Sequence, residues 1–352
     1  MEGDLPVDCD FADGLRRAAT AIGWNEPPAG PRRGKGLACT IKAPLAPSVS
    51  SAMVRMHADG SVTLLTGTVE CGQGGRTALS QIVAEELALP LGWVRVGQSE
   101  LGMSPYDQAT SASRSTTLMG LAVLAAARDV RDQLLAIGAR VLGAEPCALG
   151  LRDGRIVGAA GELGFADAVT SRFGTPGGEL IGRGTYRGER GHATLGGEAP
   201  FWEVGMAAAE VEVDEETGRV ALARYVSVAD IGQAINRREC EAQEQGGAMM
   251  GIGHTFFEQM VYDGGQLLNP SLIDYRVPVM ADVPAEYESI LVENGDGPGP
   301  YGAKGIGESG LLPTAPAIAN AIARATGVRL TDLPLVPERV WRAIVAAKGD
   351  AE

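Results

Sequence analysis

A carboxylate set among small residues is the most suggestive chemical group in this chain. Glu308 stands in the run GAKGIGESG with Gly307 before it and Ser309 after it, so another molecule can approach without steric obstruction. Partial burial would raise its pKa toward neutrality and make it a general base, whereas a solvated acid on a loop is the competing reading. Lys304, in the same run, adds a positive charge, either for function or to pair with a surface acid.

Two further runs have loop chemistry beside a helix. ECGQGG contains Gly72, Gln73 and Gly74, and TSASRS contains Ala112, Ser113, Arg114 and Ser115. With the Glu308 run they make three loops that precede or adjoin helices, where backbone N–H groups and the helix dipole could hold an anion. Such an arrangement invites a phosphate-bearing cofactor, yet no nucleotide fingerprint is complete. Gly72-Gln73-Gly74 lacks the third spaced glycine of the dinucleotide motif, and no GxxxxGK[ST] run occurs. Gln73 could instead satisfy the backbone of its own turn, Ser113 or Ser115 could cap the following helix, and Cys71 reads as a small packed thiol. His57, His192 and His254 have neither metal-ligand spacing nor a triad partner, so packing is the reading for each and no protein metal ligand is expected.

The elements that must position these loops follow from periodicity. SAMVRMHADGSVTLLTGT reads as two strands around Asp59-Gly60, ECGQGG as the loop after them, and RTALSQIVAEELAL as a helix. VRVGQSE reads as a strand, and the run from Ser115 to Leu142 as one long helix after TSASRS. A hairpin is expected around Asp153-Gly154, followed by a glycine-rich stretch to about residue 200 with no clear assignment. VGMAAAEVEVDEETGRVALARYVSVADI is a long hairpin, CEAQEQGGAMMGIGHTFFEQM a helix, MVYDGGQLL a hairpin, YESILVEN a strand and TAPAIANAIARAT a closing helix. Pro316 is tolerated in that helix because it lies in the first turns.

This order is not the strand–helix alternation of a dinucleotide-binding sheet. It predicts an α+β protein in two lobes, 51–200 and 201–352, behind an amino-terminal segment 1–50. That segment holds a short helix, FADGLRRAATAIGW, and the basic stretch EPPAGPRRGKG, with the turn chemistry of a linker or an arm docking on a neighbouring subunit. No internal sequence repeat is evident.

Bulk properties narrow the function classes. The 352 residues carry a formal net charge of −14, which disfavours nucleic acid and anionic membranes, since those partners have the same sign. A 45% hydrophobic content is that of a globular protein. Five cysteines without a CxxC pair indicate neither a disulfide framework nor a zinc or iron–sulfur site, and suit a reducing compartment. With neither a secretory leader nor a long apolar run, a cytoplasmic protein is expected.

Taken in order, ECGQGGRTALSQIVAEELALP, TSASRSTTLMGLAV, ADIGQAIN with GGAMMGIGHTFFEQM and LLNPSLIDYRVP, and GAKGIGESGLLPTAPAIANAI resemble the molybdopterin-binding subunit of the xanthine dehydrogenase/aldehyde oxidase family, from roughly residue 35 to the end. The resemblance implies the carboxy-terminal molybdenum-cofactor-binding fold of that family and a hydroxylase or dehydrogenase that inserts water-derived oxygen at an electron-poor carbon. Glu308 falls at the family's catalytic glutamate. Gln73 falls at the glutamine that faces the pterin, flanked by Gly72 and Gly74. Ala112, Ser113, Arg114 and Ser115 match the loop that contacts the cofactor and its phosphate tail, and Lys304, Gly305 and Gly307 belong to the glutamate loop. The implied cofactor is molybdopterin with molybdenum, in its cytosine dinucleotide form, with 2Fe–2S clusters and FAD on partner subunits.

The chain departs from the family in two respects. The glycine-phenylalanine-glycine-glycine loop and much of the substrate pocket belong to a first half not found in this sequence, and Met250 stands where many relatives have a glutamine. The arrangement resembles the medium molybdenum subunit of split nicotinate dehydrogenases. It implies a heteromeric complex with a second molybdenum-subunit half, an iron–sulfur subunit and a flavin subunit, inactive without them. A nicotinate-like or purine N-heterocycle or an aldehyde would be the substrate. A non-catalytic cofactor-binding or assembly protein of the same fold, and a small enzyme using another nucleotide, are the competing readings.

Overall fold

A computed structural model describes residues 4–5, 9–43, 48–188, 192–193 and 202–349. The side chain of His192 and, of the unassigned stretch before residue 202, residues 189–191 and 194–201 lie outside the described residues. In chain order, helix α1 (Phe11–Ala21) begins at Asp10, whose carboxylate accepts the Asp13 N–H at 2.9 Å. Strand β1 (Arg33–Lys42) follows, then the hairpin β2 (Val49–His57) and β3 (Val62–Thr66), helix α2 (Gly75–Glu86) and strand β4 (Val94–Val96). A single π-helical turn, Ser115–Met119, runs into α3 (Gly120–Leu142). After a small three-stranded meander from Leu149 to Gly164 come α4 (Phe165–Phe173) and β5 (Glu179–Arg187). The second half holds β6 (Glu203–Val213), β7 (Val220–Asp230), α5 (Arg237–Phe256), β8 (Glu286–Val292), α6 (Thr314–Thr326) and α7 (Pro337–Gly349).

Two four-stranded sheets result, ordered β4-β3-β2-β5 and β8-β7-β6-β1. In each, one strand pair is parallel (β3 with β4, β7 with β8) and the other neighbours are antiparallel. Each lobe therefore repeats one plan: hairpin, helix, parallel strand, helix, and an antiparallel edge strand. In the second lobe that edge strand is β1, from the beginning of the chain.

This corrects the reading of residues 1–50 as a linker or arm. β1 pairs with β6 from Arg33 opposite Glu212 to Lys42 opposite Glu203, and α1 packs Ala18 and Ile22 against Met206, Val226 and Val228 of the second sheet. Gly34 and Gly36 read as turn glycines for a physical reason that lies elsewhere in the fold. A Cβ on Gly36 would sit 2.1 Å from the carbonyl oxygen of Ala317, and one on Gly34 2.2 Å from that of Ala321, so α6 lies directly on the strand. The first lobe does the same: Cβ atoms on Gly184 and Gly182 would come within 1.9 and 2.1 Å of the carbonyls of Ala122 and Ala126 in α3.

The first sheet buries one core, and the second buries one on each face, the α1 side described above and the α5–α7 side. Val54, Met56, Leu64, Leu79, Ile82 and Val123 belong to the core of the first sheet, and Tyr225, Ile252, Ile318, Ile322 and Val340 to the α5–α7 side of the second. Each such side chain contributes roughly 1.5–3 kcal/mol by leaving water. β6 is covered on both faces, which is why its sequence runs apolar without alternation.

Candidate active site

Because the two lobes share a plan, four loops occupy corresponding places: β3 to α2, β4 to α3, β7 to α5 and β8 to α6. All four line one cleft of about 460 Å³, through Gln73, Ser113, Asn236 and Glu308 among others. The cleft brings together Gln73, Ala112, Ser113, Arg114, Ser115, Lys304, Gly305, Gly307 and Glu308, while Gly72 and Gly74 flank Gln73 without lining it.

Glu308 lies on the cleft with its side chain 38% exposed. Its Oε2 accepts the hydroxyl of Ser113 at 3.0 Å, from the other lobe, and is ion-paired with Lys42. Neither lysine nor serine contact follows from the local motif. The glycines of this loop serve close approach of the lobes: a Cβ on Gly305 would fall 1.7 Å from the Ser113 carbonyl oxygen, and one on Gly307 2.8 Å from its hydroxyl.

The loop before α3 keeps its amides available. Ala112 and Ser113 hold positive φ angles of 54° and 56°, a costly conformation for non-glycine residues that is typical of sites under functional constraint. No side chain caps the π-turn at Ser115–Met119, so neither Ser113 nor Ser115 takes the capping role, and the turn's first N–H groups have the dipole of α3 behind them.

Two expected cofactor-binding cations line the cleft but are paired with acids of this chain. Arg114 is 2% exposed, and its guanidinium is used up by Asp107 at 2.7 Å, Ser48 at 2.8 Å, Ser50 at 2.6 Å and the Ala109 carbonyl. It locks the loop from behind with four of its five N–H donors. Lys304 is buried and pairs with Asp230 at 3.1 Å and Asp296 at 2.7 Å. The ECGQGG loop is also internally satisfied. Glu70 accepts the N–H groups of Gly72, Gly74 and Arg76 at 3.0–3.1 Å, occupying the anion position at the start of α2. Burial opposes its charge, but those three N–H donors hold its carboxyl below the usual range. Gln73 donates to the Val69 carbonyl and accepts from the Cys71 N–H at 2.7 Å. Cys71 is exposed at the cleft, not packed.

Several groups escaped the sequence reading. Glu203, 1% exposed, accepts the N–H groups of Glu308 at 2.7 Å and Ser309 at 2.8 Å, and burial raises its pKa. Glu244 on α5 is buried beside it and accepts the Ser309 hydroxyl; burial pushes its carboxyl up to about 7. Its Oε2 and that of Glu239 are buried with no hydrogen-bond partner among the described residues. Gln243 donates to the Gly307 carbonyl at 3.1 Å. Cys240 lines the cleft, but burial lifts its thiol to about 11, so it is no nucleophile. Met250 is 62% exposed and not part of the cleft wall. An acid run on α5 within an apparent packing helix carries no motif; only the packing of α5 beside the glutamate loop and the cleft reveals it.

A pterin with a phosphate tail needs both hydrogen-bond donors and acceptors. Uncapped amides at the α3 start, the hydroxyls of Ser111, Ser113, Ser115 and Thr116, and the amides of Asn236 and Gln243 offer both donors and acceptors. Glu239 lines the cleft, and its buried Oε2 has no hydrogen-bond partner among the described residues. The residues fit such a group, with backbone amides in the place the sequence reading gave to cations.

Comparison with known proteins follows the same line. The family profile described as molybdopterin cofactor-binding domain matches residues 14–284. The chain is 32% identical over 323 residues to the putative xanthine dehydrogenase molybdenum-binding subunit XdhA of Escherichia coli (strain K12), covering 88% of this chain and 42% of that protein. It is 33% identical over 300 residues to the nicotine 6-hydroxylase large subunit of Paenarthrobacter nicotinovorans, covering 83% and 36%. The crystal structure of quinoline 2-oxidoreductase from Pseudomonas putida 86 superposes with a TM-score of 0.79 at 27% identity, over 94% of this chain and 43% of that one. The chain thus spans less than half the length of each of these relatives.

Proposed function

The chain belongs to the molybdopterin cofactor-binding domain family, in the part that binds molybdenum cofactor in xanthine dehydrogenase-type hydroxylases, and from that premise we propose that its cleft forms one wall of an oxidoreductase active site with Glu308 as the base. The observation that carries this reading is the position of Glu308: a carboxylate on the wall of a cleft lined by both lobes, reached by Ser113 from the opposite lobe. When bound, the molybdenum cofactor supplies the oxygen to be inserted and takes up the two electrons released. The residues of this chain bind and orient it and accept a proton. Amides at the start of α3 and the hydroxyls of Ser113 and Ser115 receive the phosphate tail. Gln73, released from its own turn, and Glu239 face the pterin. The extra nucleotide of the cytosine dinucleotide form would find hydrogen-bond partners in Ser111, Thr116 and Asn236.

Glu308 is 38% exposed, so the described residues do not by themselves exclude water from it. We assign the opposite wall, and the choice between an N-heterocycle and an aldehyde, to the remainder of a molybdenum-binding subunit, carried by a separate polypeptide, with 2Fe–2S and FAD centres on further subunits to carry electrons away. Relatives named as large and gamma subunits of hydroxylase and dehydrogenase assemblies support such a complex. Five cysteines with no disulfide among the described residues fit a reducing cytoplasm, and no helix among the described residues is long and apolar enough to cross a membrane.

The test uses the complex purified from its host. Metal analysis is expected to find molybdenum, and acid release to yield cytidine monophosphate. A Glu308→Gln variant is expected to keep the metal and lose about 100-fold or more in kcat, the scale of general-base catalysis. Molybdenum retained with undiminished turnover in Glu308→Gln would falsify the base assignment.

A further inference from the structure

We infer that Lys42 is a positioning residue for Glu308: clamped between Glu203 and Glu308, it keeps the Glu308 carboxylate ionised and on the cleft wall. The inference rests on the reading of Glu308 as the base, and it adds a residue from β1 that lies in none of the runs carrying the resemblance.

Lys42 is the last residue of β1 and lies opposite Glu203 in the register with β6, so the backbone sets where both side chains start. Its Nζ is 3.5 Å from Glu203 Oε2 and forms an ion pair with Glu308 Oε2. Glu203 in turn holds the backbone of the glutamate loop through the N–H groups of Glu308 and Ser309. One buried carboxylate thus fixes the loop and one cation ties the loop's own carboxylate back to it. Without Lys42, two like charges would face each other across a partly dry site, and Glu308 would be driven to protonate or swing out to water.

Every element packed here adds a charged group that must be counted. β1 gives Lys42, β6 gives Glu203, and α5 gives Glu244 through Ser309 and Glu239 farther along the cleft. The loop before α3 gives Arg114, spent on Asp107, and the glutamate loop itself gives Lys304, spent on Asp230 and Asp296. Lys42 is the cation whose partner is Glu308. When Glu308 takes up a proton, Lys42 still has Glu203, so the loop stays in place for the next turnover.

Two readouts test this, one of them independent of the cofactor. In the purified chain, the carboxyl carbon of Glu308, assigned by the signal lost in Glu308→Gln, is titrated by 13C NMR. In the active complex, the acid limb of kcat/KM against pH is recorded. Lys42→Met is expected to move both midpoints to higher pH by about one unit, as loss of an adjacent opposite charge requires, and Lys42→Arg to restore them. Glu203→Gln removes the like charge while keeping an acceptor for both N–H groups, and is expected to move the midpoints the other way. It serves on its own if Lys42→Met does not fold. Unchanged midpoints in Lys42→Met, or a rise in Glu203→Gln, would overturn the inference. Full activity of Glu308→Gln would instead overturn the base assignment and leave the NMR result standing.

Discussion

Glu244 and Arg114 are both buried charges beside the cleft, and they make opposite statements about stability. Glu244 has its carboxyl raised by burial from 4.5 to about 7. A raised acid favours the fold when protonated, so its stabilising contribution is complete below about pH 4.5 and is lost as pH rises through about 7. The linked change is about 3 kcal/mol. Urea unfolding is expected to show the protein less stable at pH 8 than at pH 5, with Glu244→Gln removing most of that difference; a pH dependence unaltered by the substitution would count against it. Arg114 is fully compensated by Asp107, Ser48, Ser50 and the Ala109 carbonyl. Arg114→Met strands Asp107 in the interior and is expected to cost about 3–5 kcal/mol in the same unfolding measurement. Arg114→Lys should recover only part of it, since one ammonium cannot span the planar fork. At this scale the motif named the residues on the cleft, but not what each side chain does. Glu308, Ser113 and Gln73 lie on the cleft where the loops suggested, whereas Arg114 and Lys304, which also line it, are engaged by Asp107, Asp230 and Asp296, acids that lie outside the runs TSASRS and GAKGIGESG.

The elements carry a repeat that the sequence does not display. Each lobe lays a Gly-x-Gly edge strand under an alanine-rich helix: Gly182 and Gly184 under α3, Gly34 and Gly36 under α6. In both cases the loop before that helix forms part of the cleft, so the strand's thinness sets the height of a functional loop. The hairpins, α2, α5 and α6 were readable from periodicity and turn residues. β1 was not, because its two glycines sit in a basic, proline-bounded stretch and their purpose is a contact with a helix nearly the whole chain away. β5, α4 and α7 also passed unassigned, the first two inside a glycine-rich region and the last behind a proline-rich turn. Gly184→Ala would press a methyl group into the Ala122 carbonyl. The expected outcome is an unfolding free energy lower by about 1–3 kcal/mol or more, with α3 displaced and molybdenum content reduced. Gly150→Ala, whose Cβ would meet nothing within 4 Å, is the matched control and should leave both unchanged.

At the scale of the whole molecule, the segment between α5 and β8 stands apart from both cores. It presents Leu272 at 76%, Ile273 at 92% and Met280 at 85% exposure, together with Met260, Leu268 and Val279. A run of large apolar side chains left in water is the mark of a surface that is covered in the working assembly. The acidic net charge of −14 keeps such a chain in solution without hiding the patch. The remainder of a molybdenum-binding subunit, which the proposed function sets against the open side of the cleft, is the expected cover. Leu272→Asp together with Ile273→Asp should leave the isolated chain's unfolding free energy within about 0.5 kcal/mol, since neither residue touches a core. Binding to that remainder should weaken at least tenfold, the effect of losing about 1.4 kcal/mol from an apolar anchor. Equal recovery of the assembly with the double variant would show that the segment faces solvent there too, and the cover over the cleft would then have to be sought at Leu101, Met103 and Tyr106, the exposed apolar group on the loop before α3.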